Sequence, residues 1–162
     1  MINTYILFQR YLTQLRQMVV KVPSEVFDTS LAEGMFSLEM HAKIAANFTL
    51  RGCCPLLGVE TVSLFREESG KLPVIEQIDA TLSYLSGVEG RASYDDTKIL
   101  RDKAGFSEVE LPESEFIHVY IVPNILFHMS MVYAIAKTHD VPLSKGDFDG
   151  LHSYPEGFSF VK

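Results

Sequence analysis

Three side chains stand where their types and spacing could do chemistry: His41, Asn124 and His128. Asn124 and His128 lie four apart in residues 116–136, FIHVYIVPNILFHMSMVYAIA, a run with no Asp, Glu, Lys or Arg. On a helix, positions four apart lie over one another, so the amide and the imidazole are neighbours on one face. That face reads Ile117, Ile121, Asn124, His128, Met131, Ile135. His41 holds the matching place on an earlier apolar face, with Leu38, Ala45, Phe48 and Gly52. Two helices thus offer an imidazole toward one interior.

Two chemistries fit that pattern. Helical bundles build metal sites from facing side chains, and histidine is the commonest metal ligand. On this reading His128 and His41 hold a divalent metal, zinc or nickel. A zinc centre needs at least three protein ligands, and an amide oxygen is a poor one. The other reading is a hydrogen-bonded polar layer or small pocket, made by Asn124, His128, His41 and Tyr120, with no cofactor. Tyr120 belongs to it because Pro123 should kink the helix and free a carbonyl one turn back, beside Tyr120 and Asn124. Glu39 sits two residues from His41 and should point elsewhere. His118 is about 15 Å from His128 along a straight helix and cannot share its metal. His139 belongs to the helix C-terminus, and His152 has no role. The chain has no GxGxxG, P-loop, GxSxG or HExxH pattern.

Four helices must position these groups. The first, residues 3–21, places Tyr5, Phe8, Leu12, Leu15, Val19 and Val22 on one stripe, and Pro23 stops it. The second runs from an N-cap at Ser37 to Gly52, after which Pro55 and Gly58 break the pattern. The third covers residues 70–86, with Ile75, Ile78, Leu82 and Leu85 inward, Pro73 in the first turn and Gly87 at C′. Residues 88–111 lose the helical period, and within 97–111 KILRDKAGFSEVEL reads as a short hairpin turning at DKAG. The last helix starts after Pro112, with Glu113 and Glu115 in its first turn and Lys137 and His139 in its last, signs that suit the helix dipole. The tail, 143–162, should pack across the bundle through Phe148, Tyr154 and Phe158.

The charge-free run is long enough to cross a membrane. Its two histidines, asparagine and proline would be costly in lipid, and charged residues flank it closely. The other three helices each carry an apolar stripe that needs an apolar partner. A helix apolar all round, buried on most sides at the centre of a soluble all-α four-helix bundle, meets that need.

Bulk properties narrow the function. The 162 residues suit one domain, 1–162, and the net charge is −7 with no cluster of Lys and Arg. Nucleic acid and anionic membrane surfaces are therefore poor partners. Cys53 and Cys54 are adjacent, which is neither a CxxC motif nor a disulfide framework, and they read as small packing residues. The first residues have no basic segment or cleavage site of a secretory signal, so the expected compartment is the cytoplasm.

The block VPNILFHMSMVYAIAKTHDVPLSKGDFDG resembles the C-terminal signature of an uncharacterised branch of the DinB/YfiT-like bundles, P-N-x-x-x-H followed by V-P-L-x-K-x-D-F-x-G. LAEGMFSLEMHAKIAANFTLRGCCPLLG is similar to that branch's second helix, and YILFQRYLTQLRQM suits its first. The resemblance implies a DinB-like four-helix bundle, often a homodimer. The wider superfamily includes metal-dependent thiol transferases that hold a divalent metal with three histidines, two of them in an HxxxH on the last helix. Here Asn124 stands at the first of those positions and His128 at the second. The expected function is therefore a small-molecule-binding or interaction protein with a degenerate site. A metal-dependent enzyme of the thiol transferase or hydrolase class, acting on a small molecule, is the alternative.

Overall fold

The computed structural model describes residues 3–91 and 93–161, so 1–2, 92 and 162 of the expected domain lie outside this description. Four long helices form the bundle: α1 (Thr4–Lys21), α2 (Leu38–Leu57), α3 (Lys71–Ser86) and α4 (Glu113–Thr138). A hairpin, β1 (Ile99–Ala104) and β2 (Ser107–Pro112), precedes α4, and a short α5 (Lys145–Asp149) follows it. A single 3₁₀ turn, Ser24–Val26, opens the connection from α1 to α2.

The α1 stripe is buried throughout, from Tyr5 and Phe8 to Val19 and Val22. Each such apolar side chain removed from water contributes about 1.5–3 kcal/mol. Asn3 caps the helix, its side chain accepting a hydrogen bond from the Tyr5 N–H at 2.9 Å. Ser37 caps α2 in the same manner, through the Met40 N–H. Contrary to the expected break, α2 runs through Pro55 to Leu57. Proline removes only one donor there, in the last turn, and Gly58 at φ 70° turns the chain back so that its N–H reaches the Cys54 and Pro55 carbonyls.

Helix α3 keeps its expected bounds but turns a slightly different face inward. Val74, Gln77, Ile78, Thr81 and Leu85 are buried, whereas Ile75 and Leu82 pack at the edge. Gln77 can be buried because both ends of its amide are used. Its Nε2 donates to the Lys43 carbonyl at 2.8 Å, and its Oε1 accepts the Arg66 N–H at 3.0 Å. Gly87 ends the helix in right-handed geometry, φ −83°, so no left-handed residue is required there. The hairpin turn falls at Gly105–Phe106, two residues beyond the expected centre. Gly105 takes φ +61° at the first turn position, where a two-residue hairpin of type II′ favours glycine.

Helix α4 is one continuous helix built from Glu113–Glu115, a π-helical stretch Phe116–Ile121, and Val122–Thr138. The wide turn sits immediately before Pro123, with the Val122 N–H bonded to the Ile117 carbonyl. Its length and composition would let it span a membrane, and it is buried along one face rather than on most sides as expected. One face packs inward through Ile117, Ile121, Ile125, Met129, Val132 and Ile135, while Val119 and Phe127 stay more than half exposed. The main partner of that face is α2, which runs antiparallel to it. Gly52 leaves no room for a side chain at this contact: a β-carbon there would meet Ile121 Cγ2 at 2.8 Å and the Phe8 ring at 3.0 Å. In the tail, Phe148 packs at the core edge against Tyr133, whereas Tyr154 and Phe158 stack on each other at 5.4 Å.

Candidate functional site

His41 leaves the first turn of α2, a turn fixed by its cap and by backbone bonds from Leu38 and Glu39 to the Thr29 and Phe27 carbonyls. His128 leaves the middle of α4. Antiparallel packing brings the two rings together, Nδ1 to Nδ1 at 2.8 Å, with 2% and 7% of each residue exposed. A contact that short between two ring nitrogens is a hydrogen bond, so one Nδ1 carries the proton and the other accepts it. The accepting ring must then hold its own proton on Nε2. Burial, and then the neighbouring His41 ring, pushes the His128 imidazole down to about 4. Burial also lowers His41 from its ordinary value. Both rings are therefore neutral at pH 7.

Aromatic side chains enclose the pair. Phe48 stacks on His128 at 5.9 Å, and Phe36 and Phe127 meet His41 edge-on at 5.9 and 6.1 Å. Phe36 and Phe127 are 55% and 53% exposed, so they form an outer rim over a buried imidazole. Among the described residues, His41 Nε2 is buried with no hydrogen-bond partner. Leaving such an atom unpaired costs about 1–3 kcal/mol, which a bound polar atom would offset.

The other two residues expected in this pocket are engaged elsewhere. Asn124 is half-buried at the helix edge, and its Nδ2 donates to the Tyr120 carbonyl at 2.7 Å, serving the wide turn before Pro123. The extra residue of the π-helical stretch shifts the helix phase, so Ile125 rather than Asn124 faces the core. Tyr120 directs its hydroxyl away from the histidines, donating to Asp102 Oδ2 at 3.1 Å and accepting from Arg51 Nη2 at 2.7 Å. Arg51 also bonds Asp102 and the Lys103 carbonyl, and its guanidinium lies 4.3 Å from the Phe48 ring centre. Burial raises the Tyr120 phenol to about 12, so it acts only as a neutral donor and acceptor. This network ties β1 to α2 and α4 and touches the histidine layer through Phe48.

Arg51, Asp102 and the Phe36–Phe127 rim were not legible beforehand. Phe36 precedes a helix cap and Phe127 adjoins His128, and neither position carries a periodic signal.

The donor set does not suit a metal ion. Among the described residues, no group of three His, Cys, Asp or Glu side chains converges. The two imidazoles use Nδ1 on each other, and the Glu39 carboxylate accepts the Gly70 N–H at 2.6 Å. His118 bonds the Ser114 carbonyl and packs on Tyr94. Both cysteines are buried and free, and burial raises the Cys53 thiol to about 12, which leaves it without nucleophilic character.

Comparison with known proteins places this geometry. No curated protein matches the chain. A crystal structure of a DinB family member protein from Shewanella denitrificans, at 1.83 Å resolution, superposes with a TM-score of 0.78 and 22% identity, covering 93% of this chain and 91% of the other. At that identity the likeness establishes a shared DinB-like fold. The family model for a domain of unknown function, DUF1993, matches residues 4–149, and the chain belongs to that family.

Proposed function

We propose that this protein binds a small, largely apolar molecule at the His41–His128 pair, in a site that has the place but not the ligand set of a metal centre. The observation that carries this reading is the unpaired, buried His41 Nε2 beneath the Phe36–Phe127 rim. A neutral imidazole in an aromatic enclosure offers one directional hydrogen bond and otherwise dispersion contacts, which suits an aromatic molecule bearing one hydroxyl or amide. The metal-dependent enzyme is the second reading. It is favoured by the placement of two imidazoles on facing helices within 2.8 Å, and lacks a third donor among the described residues.

Phenol and benzene are a suitable pair of probes. On adding phenol, the ring ¹⁵N and ¹³C resonances of His41 and His128 should shift saturably, more than with benzene, and the response should vanish in His41→Phe. A response to phenol that survives in His41→Phe, or none in the parent, contradicts the reading. We further propose that the protein works as a soluble cytoplasmic homodimer. The dimer rests on the family resemblance, and the two free thiols suit a reducing compartment. Light scattering should give twice the 18.2 kDa chain mass across a range of concentrations, and the single-chain mass would refute it.

A further inference from the structure

A separate cavity, which shares no lining residue with the His41–His128 site, lies between the C-terminal half of α4, α5 and the tail. It has a volume of about 690 Å³ and adjoins another of about 340 Å³, the two sharing Tyr133 and Lys145 in their walls. Ligand pockets commonly fall between about 300 and 1,000 Å³. Three lysines line the larger cavity, in a chain whose net charge is −7. Lys21 is neutralised by Asp147 at 2.6 Å. Lys137 has only the Val141 carbonyl at 3.4 Å, and Lys145 has no hydrogen bond or ion pair among the described residues. The other lining carboxylate, Glu156, pairs with neither among those residues. Among the described residues, neither of these two lysines lining the cavity has a counter-ion.

Aromatic rings of the tail line the same cavity. Tyr154 and Phe158 stack within 5° of parallel, and Phe160 meets Phe158 edge-on at 4.8 Å. These rings lie beyond residue 149, where the match to the family model ends. Phe158 and Phe160 remain 51% and 77% exposed. A set of rings that pack on one another yet stay open to water is a surface that gains from being covered.

We infer that this cavity binds a small aromatic anion, its ring against Tyr154 and Phe158 and its acidic group between Lys137 and Lys145. The site is independent of the histidine pair.

Two fluorescent naphthylamines of similar shape test it, anilinonaphthalene sulfonate, which carries a charge, and N-phenyl-1-naphthylamine, which does not. The parent chain should bind the sulfonate more tightly than the neutral compound, with an affinity that falls as salt rises. The exposed double variant Lys137→Gln/Lys145→Gln should weaken sulfonate binding by about ten-fold and leave the neutral probe within about two-fold. Tyr154→Ala/Phe158→Ala should weaken both. Circular dichroism establishes that each variant is folded. Sulfonate affinity unchanged in the lysine variant, or a neutral probe that binds as tightly as the sulfonate, overturns the proposal.

Discussion

Acidification should destabilise the fold through His128, and the size of the effect follows from its burial. Its ordinary value is 6.5, and in the folded chain desolvation, aided by the His41 ring, holds it at about 4. The unfolded chain therefore binds a proton at this residue over a range where the folded chain does not. Stability from the neutral ring is complete above the unfolded value near 6.5 and is lost as the pH falls toward 4. At pH 5 the loss is about 2 kcal/mol, nearing 3 kcal/mol at lower pH. His41, lowered in the same direction, adds to it. Aspartates such as Asp147, whose carboxyl is lowered despite burial by its bond to Lys21, also lose stability on acidification, in the lower carboxylate range. A comparison with His128→Gln isolates the histidine, because the amide keeps a hydrogen-bonding group near His41 and cannot titrate. Urea unfolding from pH 7.5 to 4.5 should give two stability profiles that diverge below pH 6.5, the parent falling more steeply by about 2 kcal/mol at pH 5. Parallel profiles would refute the claim that His128 is held neutral by burial.

Three further perturbations test the packing around the site. Gly52→Ala should destabilise by about 1–3 kcal/mol in denaturant titration, despite alanine's better helix propensity, because the added methyl meets Ile121 and Phe8. A stabilised variant would show that α2 and α4 are not in close contact there. Tyr120→Phe should cost about 1 kcal/mol and speed amide hydrogen exchange in β1, since its hydroxyl joins Arg51 and Asp102. Unchanged exchange would mean that the network does not hold the hairpin. Asn124→Ala should cost about 1 kcal/mol through the lost bond to the Tyr120 carbonyl, while leaving the His41 and His128 ring resonances in place. Large shifts in those resonances would return Asn124 to the histidine layer.

The α1 stripe was legible because one uninterrupted 3–4 spacing ends at a proline, and local rules decide such a helix. The pairing of His41 with His128 was legible for the same reason: each is a polar interruption of an apolar face. What sequence periodicity could not reveal is the phase of α4 around Pro123. The wide turn inserts a residue into the helical count, which moves Asn124 to the edge and Ile125 inward. A period of 3.6 read straight through the proline from Ile117 and Ile121 places Asn124 on the inward face. Likewise Pro55 reads as a break, yet a missing donor costs little in the final turn before Gly58. Arg51 and Asp102 meet only because the hairpin folds onto α2, a long-range contact with no local trace.

The proposed binding site consists of two imidazoles bonded to each other, without a metal. Metal analysis of protein purified without chelator, alongside His128→Ala, tests it directly. Less than about a tenth of an equivalent of zinc or nickel is expected in both proteins, since a closed or catalytic centre needs three or more ligands. One equivalent in the parent, lost in His128→Ala, would contradict it.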